Sequence, residues 1–479
     1  MEKDNIEISK HEEQIETHTK QLWQFLTELC SKNLVPNNDY IKELLNLEDK
    51  DVIQDILNCM NKFDYLEKNF FEHLRNLRQL DLSNNDLNDL PQCLYLLEGL
   101  EHLALNNNQF SYLPTVIGDL KALRSLKVHE NYIEEVSENI GNLLNLEYLD
   151  LSFNKLTTLP YTCRTLHRLK YLSLARNNFS KIPDCITTGV CNLETLDLSQ
   201  NRCLILDIPL CSIHIKKLYA RKNDICPVFP KWIFNTKYYK LEEIALDYTV
   251  FKKFDFENVT SVSNIKKLSM IECRLSEEIV QIIMRKLKCL ESISIGNNTN
   301  TSMDSLKEIS AFRTTNLIII DVSFNNINYL PEEVCYLKKL QTLIINNNLL
   351  VSLPDSIGQL QSLEKLQASH NQLAHVPRSM KYLNNLKFLD LYNNEFLLAE
   401  DININMTCLQ GIDLEQNYFS TSDLPITKSH YENLRSALLE HWNELSRKLT
   451  GPRIMPTNNE NEMDRLSQDT SDSMEDTYV

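Results

Sequence analysis

From Leu77 onward the chain repeats a short alternation of apolar and polar positions. Leu77-Arg-Gln-Leu80-Asp-Leu82-Ser-Asn-Asn85 aligns with Leu100-Glu-His-Leu103-Ala-Leu105-Asn-Asn-Asn108, and the frame returns at Leu123, Leu146 and Leu169, each 23 residues after the last. It continues at Leu193, Ile215, Leu241, Ile265, Leu290 and Leu317 with spacings of 22 to 27 residues. Regularity at 23 residues then resumes at Leu340, Leu363, Leu386 and Leu409. Fifteen copies of LxxLxLxxN in one register imply a stacked architecture, because a unit this small cannot bury its own apolar face.

The LxL centre of each copy predicts a short strand whose apolar side chains point inward at period two, pairing in parallel with the strands of its neighbours. The closing Asn recurs from Asn85 to Asn223 and from Asn325 to Asn417. A buried amide there turns the chain inside the stack and bonds backbone groups of adjacent turns, which a Leu cannot do. Leu113-Pro114…Ile117…Leu120 and Leu353-Pro354…Ile357…Leu360 mark the return on the other side, where Pro fixes φ and no sheet partner needs its missing donor. The Leu-Pro signature lapses between about 200 and 316. There Leu275-Ser-Glu-Glu-Ile279…Ile283-Met284…Leu287 has helical spacing and predicts an α-helix on the return side. The expected fold class is α/β, a curved solenoid of about fifteen repeats with a parallel concave sheet and helical caps at both ends.

The regular copies resemble the intracellular leucine-rich-repeat class with 23-residue units, which includes the Scribble/Erbin/Lano polarity scaffolds and Ras-pathway scaffolds. The resemblance covers residues 67–427. It implies a protein-binding scaffold whose partner is a small GTPase, a phosphatase or a polarity protein. No residue selects among these.

Residues 1–66 lack the repeat and read as helices: Ile15, Leu22, Phe25, Leu26 and Leu29 share one face, and Val52, Ile53, Ile56, Leu57 and Met60 another. The plainer expectation is a cap over the first strand, the sharper one a helical recruitment module. Leu434, Leu438, Trp442, Leu445 and Leu449 predict a capping helix over 428–450. Residues 451–479 are rich in Asn, Glu, Asp, Ser and Thr and read as a disordered acidic tail. Its last residues, Thr477-Tyr478-Val479, match a ligand of PDZ domains, in which a peptide adds as a strand, its Val fills a pocket and its Thr hydroxyl bonds a polar group.

Charge and composition narrow the function. A net charge of −17 opposes nucleic acid, whose phosphates are met by clustered Lys and Arg. There is no apolar run of about 18 residues, and the opening Met1-Glu2-Lys3-Asp4 does not begin a signal peptide, so no membrane span is expected. The 13 cysteines are odd in number and scattered, without CxxC spacing. That usage suits free thiols in a reducing, cytoplasmic setting. The 8 glycines are never closely spaced, which excludes GxGxxG and Walker loops. HExxH is absent, and His370 and His375 straddle a turn. No catalytic residue, metal or cofactor is expected.

In the frame LxxLxLxxN the third, fifth, seventh and eighth positions should face a ligand on the sheet. The fifth carries a column of acids: Asp81, Asp150, Asp197, Asp247, Asp321, Asp390 and Asp413. Because LDLSxN is common wording for this repeat, a structural role outweighs an acidic binding stripe. A better candidate combines Tyr148 and Tyr171 at the third position, Phe153 and Arg176 at the eighth and Tyr219 at the fifth, with Lys217, Arg221 and Lys222 beside it. Exposed aromatics with Arg make typical interface hot spots. Phe324, Phe388 and Tyr392 form a weaker second candidate. The leading expectation is a non-enzymatic scaffold or adaptor in intracellular signalling or cell polarity. The alternative is a substrate-recognition subunit of a ubiquitin ligase or an intracellular immune sensor.

Overall fold

The computed structural model describes residues 77–202, 205–223, 225–234, 240–254, 264–298, 316–402 and 404–442. The expected N-terminal helices, the far end of the C-terminal helix, the acidic tail and Thr477-Tyr478-Val479 lie outside the described residues. The chain divides into two compact units between Asn326 and Ile327.

Each unit is built on a parallel sheet of three-residue strands, one per copy of the LxL core. The first unit contributes eleven strands from Gln79–Asp81 to Ile319–Asp321, the second four from Thr342–Ile344 to Gly411–Asp413. Register follows the frame: Leu126 lies opposite Leu149 and Leu149 opposite Leu172. Their side chains are fully buried, with Leu103, Leu126, Leu149 and Leu172 each at 1% exposure or less. The return is mostly a single 3-10 turn, such as Thr115–Asp119 or Glu332–Tyr336. Pro114 starts the first of these at φ −55°, and its carbonyl accepts from Ile117 N–H at 3.2 Å. A Cβ at Gly118 would lie 2.6 Å from Asn139 O, so adjacent returns meet nearly backbone to backbone.

The closing Asn forms a ladder between coils. Asn177 Nδ2 donates to Leu174 O of its own coil at 3.1 Å and to Leu151 O of the preceding coil at 2.9 Å, while its Oδ1 accepts from Leu156 N–H at 2.9 Å. Asn108, Asn131, Asn154 and Asn201 repeat the arrangement, as do Asn371 and Asn394 in the second unit. Two copies lack Asn. Thr249 Oγ1 donates to Ala220 O at 2.8 Å and Cys273 Sγ to Leu246 O at 3.1 Å, so a hydroxyl and a thiol keep a donor in the same place.

The stretch without Leu-Pro has its own return. The predicted helix is present at Glu277–Lys286, with the Ser276 hydroxyl accepting from Ile279 N–H, acids in the first turn and bases in the last. Beside it, Cys226–Val228 and Phe251–Lys253 pair in a second parallel sheet. Phe229 packs there against Phe234, Phe251 and Phe254, and Trp232 Nε1 donates to Leu206 O. Aromatic volume replaces the Ile and Leu of the regular returns.

In the second unit the helix Lys428–Trp442 packs on the last strand. Tyr431 Oη accepts from Leu414 N–H at 3.0 Å. In other coils this N–H is taken by the next coil's carbonyl, as Leu391 N–H is by Asp413 O. Arg435 Nε donates to the fully buried Asp413 carboxylate at 3.0 Å. The helix also crosses the ligand-facing side: a Cβ at Gly411 would lie 2.8 Å from Leu438 Cβ, and Phe388 stacks on His441 at 4.1 Å. Phe388 is therefore committed to the protein's own helix and drops out of the weaker aromatic candidate.

Replacing Asn177 by Leu removes these donors and the acceptor from a dry interior and strands their backbone partners. Urea denaturation is expected to show a loss of about 2–4 kcal/mol, against less than about 0.5 kcal/mol for the exposed neighbour Asn178→Ala.

Candidate protein-binding face

The side of the first unit's sheet opposite the returns carries the third, fifth and eighth positions. The seventh, also expected to face a ligand, divides: it is buried at Ser83, Ser152, Ser199 and Ser369 and exposed at Arg221. The cause is local. Asp150 Oδ1 accepts from Ser152 N–H at 3.0 Å and from its hydroxyl at 2.6 Å, which folds the seventh side chain back against the fifth. Asp81, Asp197 and Asp321 accept the equivalent backbone N–H, and Asp390 and Asp413 are fully buried; Asp247, which stands at the seventh position of its copy and not the fifth, holds Arg221. The acid column thus shapes the turn after each strand, in agreement with its structural reading.

The eighth residue of every copy is in the left-handed region, with φ from +51° to +59°. That conformation favours Asn and disfavours bulky side chains by roughly 1 kcal/mol or more. Asn84, Asn107, Asn297, Asn347 and Asn393 obey the preference. The other ten copies carry different residues there, and from Glu130 to Glu272 seven successive coils do so, placing Phe153, Arg176, Gln200, Lys222 and Tyr248 in it.

These residues form two clusters. In the first, Tyr148 and Tyr171, opposite each other in register, stack with ring centroids 4.3 Å apart and planes within 1°. The Arg176 guanidinium lies 4.4 Å over the Phe153 ring and also bonds Gln200. Burial, then the neighbouring Tyr171 and Asp150, pushes the Tyr148 hydroxyl up from its ordinary value, so it remains a neutral donor. In the second cluster Tyr219 Oη donates to Glu243 at 2.8 Å, Lys217 Nζ is 3.6 Å from the same carboxylate, and Arg221 pairs with Asp247 at 2.9 Å. Lys222 lies 5.3 Å over Tyr248. The structure therefore groups Tyr148, Phe153, Tyr171 and Arg176, and separately Lys217, Tyr219, Arg221 and Lys222. Acids answer part of the second group's charge, so it is less basic than the sequence suggested.

Sequence reading missed Tyr248, whose copy ends in Thr249 in place of Asn and so loses the marker of position eight. It also missed a ladder at the second position, where Arg78, Glu101, Arg124, Glu147, Lys170, Glu194, Lys216, Glu242, Lys266 and Glu291 alternate in sign through ten successive copies. Arg124 lies 3.2 Å and Lys170 2.6 Å from Glu147, and Lys216 lies 2.8 Å from Glu194. The Lys170 bond, aided by Arg124, holds the Glu147 carboxyl below its usual range. The strict alternation was readable had the second position been tabulated. At this exposure each pair adds little stability.

Among the described residues no group of three or more His, Cys, Asp or Glu is placed to hold a metal, and no helix is long and apolar enough to cross a membrane. The sequence matches the family described as leucine-rich repeat region over residues 52–303, and leucine rich repeat over 338–396. The chain belongs to the leucine-rich-repeat family. Among solved structures, a leucine-rich-repeat protein of Leptospira interrogans is similar at TM-score 0.60 and 28% identity, covering 72% of this chain and 92% of that one. The functional domain of InlJ from Listeria monocytogenes has TM-score 0.50 and 20% identity, over 69% and 71% of the two chains. The latter shares the fold alone. No curated protein matches the sequence. Leucine-rich-repeat arrays generally serve as non-catalytic interaction surfaces that bind proteins.

One titratable pair sits at the edge of the first cluster. His129 Nδ1 lies 3.3 Å from Asp150 Oδ2. The bond to Asp150 raises the His129 pKa despite burial, while burial of Asp150 is outweighed by its His129 and Ser152 bonds, so that carboxyl is lowered. The raised His contributes stability at low pH that fades as pH rises through its folded value. The lowered Asp contributes stability that fades as pH falls through its own. The pair is therefore strongest between the two. Titration by NMR is expected to place His129 above 6.5, and Asp150→Asn to bring it down.

Proposed function

We propose that this protein is a non-enzymatic scaffold that takes a folded protein partner on the open, concave face of its first unit, across Tyr148, Phe153, Tyr171, Arg176, Lys217, Tyr219, Arg221 and Lys222. One observation carries the reading. Phe153, Arg176 and Lys222 occupy left-handed positions that Asn fills elsewhere in the same chain. Keeping an exposed Phe or Arg there costs stability, which the exposed Arg176–Phe153 stack and the Gln200 bond offset only in part. Side chains retained against local preference belong where contact with something else is the gain. Their kind agrees, since stacked Tyr, Phe and Arg combine large apolar area with a polar handle.

The setting we infer is cytoplasmic, in signalling or cell polarity, as in the scaffolds of the Scribble/Erbin/Lano class and the Ras pathway. A small GTPase, a phosphatase or a polarity protein is the class of partner. Free thiols support the compartment: the ten cysteines among the described residues are unbridged. The helix beginning at Lys428 is read as the terminal cap, since Tyr431 takes the bond of the missing next coil, and residues 1–66 as its counterpart. Thr477-Tyr478-Val479 adds a second site, for a PDZ domain. No cofactor, metal or nucleic acid enters this reading.

The test exploits the backbone. Phe153→Asn with Arg176→Asn installs the residue that the conformation prefers, so the melting temperature should hold or rise. Affinity for a partner recovered with the wild-type chain from its native cell should fall by about 2 kcal/mol, roughly thirtyfold. Equal recovery of the same proteins by both chains would remove the site.

A further inference from the structure

Where the chain enters two successive strands of the first unit, two thiols face each other outside the face described above. Cys191 precedes the strand Thr195–Asp197 and is exposed, and Cys211 precedes Lys217–Tyr219 and is half-buried. Their sulfurs are 2.8 Å apart. A disulfide needs about 2.05 Å, a closing of under about 1 Å that side-chain rotation can supply.

Neither backbone depends on the thiols for its position. On the Cys191 side, Gly189 and Val190 N–H both donate to Cys185 O. A Cβ at Gly189 would lie 2.2 Å from Arg164 Cβ, so this turn is pressed onto the preceding coil. On the Cys211 side, the fully buried Ser212 hydroxyl donates to Leu193 O at 2.7 Å. Cys211 N–H reaches Ile186 O at 3.4 Å. The hydrogen bonds of two coils thus hold the sulfurs together before any reaction.

The geometry points to an oxidative modification site: Cys191 and Cys211 form a reversible disulfide when the protein meets hydrogen peroxide. The exposed Cys191 sulfur attacks the peroxide, so an S–O bond forms, the O–O bond breaks and water leaves. Cys211 sulfur then attacks Cys191 sulfur, forming the S–S bond and expelling the hydroxyl, which takes the Cys211 proton to leave as a second water. Two thiols and one peroxide become one disulfide and two waters, and a thiol reductant reverses the bond. Burial and the bond to Cys191 push the Cys211 thiol up to about 11, which leaves first attack to its exposed neighbour, and Cys211 follows because its sulfur is already held beside Cys191. Cys163 and Cys185, in the coils just before, are 3% and 2% exposed and out of a peroxide's reach. In a reducing compartment such a bond is transient, as befits a regulatory modification. It would fasten the coil of Thr195–Asp197, between the two aromatic clusters, to the next.

The experiment treats the folded full-length chain with a few equivalents of hydrogen peroxide, blocks remaining thiols with an alkylating agent and localises bonds by fragmentation mass spectrometry. A loss of about 2 Da and a Cys191–Cys211 link, reversed by dithiothreitol and absent from both Cys191→Ser and Cys211→Ser, is expected before the buried thiols react. A link formed instead to another cysteine, Cys203 included, or scattered oxidation with no preference for this pair, overturns it. So does a thiol count unchanged by peroxide.

Discussion

The fold rests on one side-chain amide repeated in nearly every coil. A leucine-rich coil has an apolar interior, yet its chain must turn inside it and leave backbone groups facing no water. The Asn at position nine solves this with both ends of its amide: Nδ2 ties the carbonyls of two adjacent coils and Oδ1 takes an N–H from the coil before. The penalty for an unmet buried donor, about 1–3 kcal/mol, then enforces stacking in register. Thr249 and Cys273 show the requirement by their exceptions, since each still offers a donor to the preceding coil.

Stacking fixed this way decides what the other positions can do. Third and fifth residues emerge on the open sheet, each beside its counterpart in the next coil, so a column of like positions becomes a continuous surface. The eighth residue, turning left-handed, stands out at the edge of that surface. Position two carries alternating charge and position eight is strained, so the face is bounded by one ladder that stabilises slightly and one that costs. That cost is carried without interruption by the coils from Glu130 to Glu272, with the bulky Phe153, Arg176, Lys222 and Tyr248 among them, and returns at Phe324. Such a local conflict is where a protein-binding role has the strongest physical motive.

Much of this was legible beforehand because LxxLxLxxN is a statement about backbone geometry. Strand positions, parallel register, the Asn ladder and the helix after Leu275 all followed from residue type and spacing. Part of what escaped had no periodic marker. Asn298 completes the ladder between Met270 and Ile295, but it sits where the Leu-Pro return is lost, and the reading passed over it. The second small sheet at Cys226–Val228 arises from aromatic packing, which has no fixed spacing. Burial of Ser83 and Ser152 at position seven goes with an Asp-to-Ser bond two residues apart, and a period-two rule ignores such bonds. The helix after Lys428 was expected at the end of the stack. Its second contact, across Phe388 and Gly411, depends on tertiary approach alone. The face itself was half legible: residue types marked Tyr148, Phe153, Tyr171 and Arg176, while the left-handed backbone at Phe153 and Arg176 needed coordinates.

Amide hydrogen exchange tests the ladder most directly. The N–H groups of Leu87, Phe110, Ile133, Leu156 and Phe179 lie outside the strands and donate only to Asn side chains of the following coil. If those amides hold the coils together, they should be protected to the same degree as Leu103, Leu126 and Leu149 in the strands, and open with them. Exchange at the rate of surface loops, while the strands stay protected, would mean that the coils stack without the Asn ladder and would contradict this account.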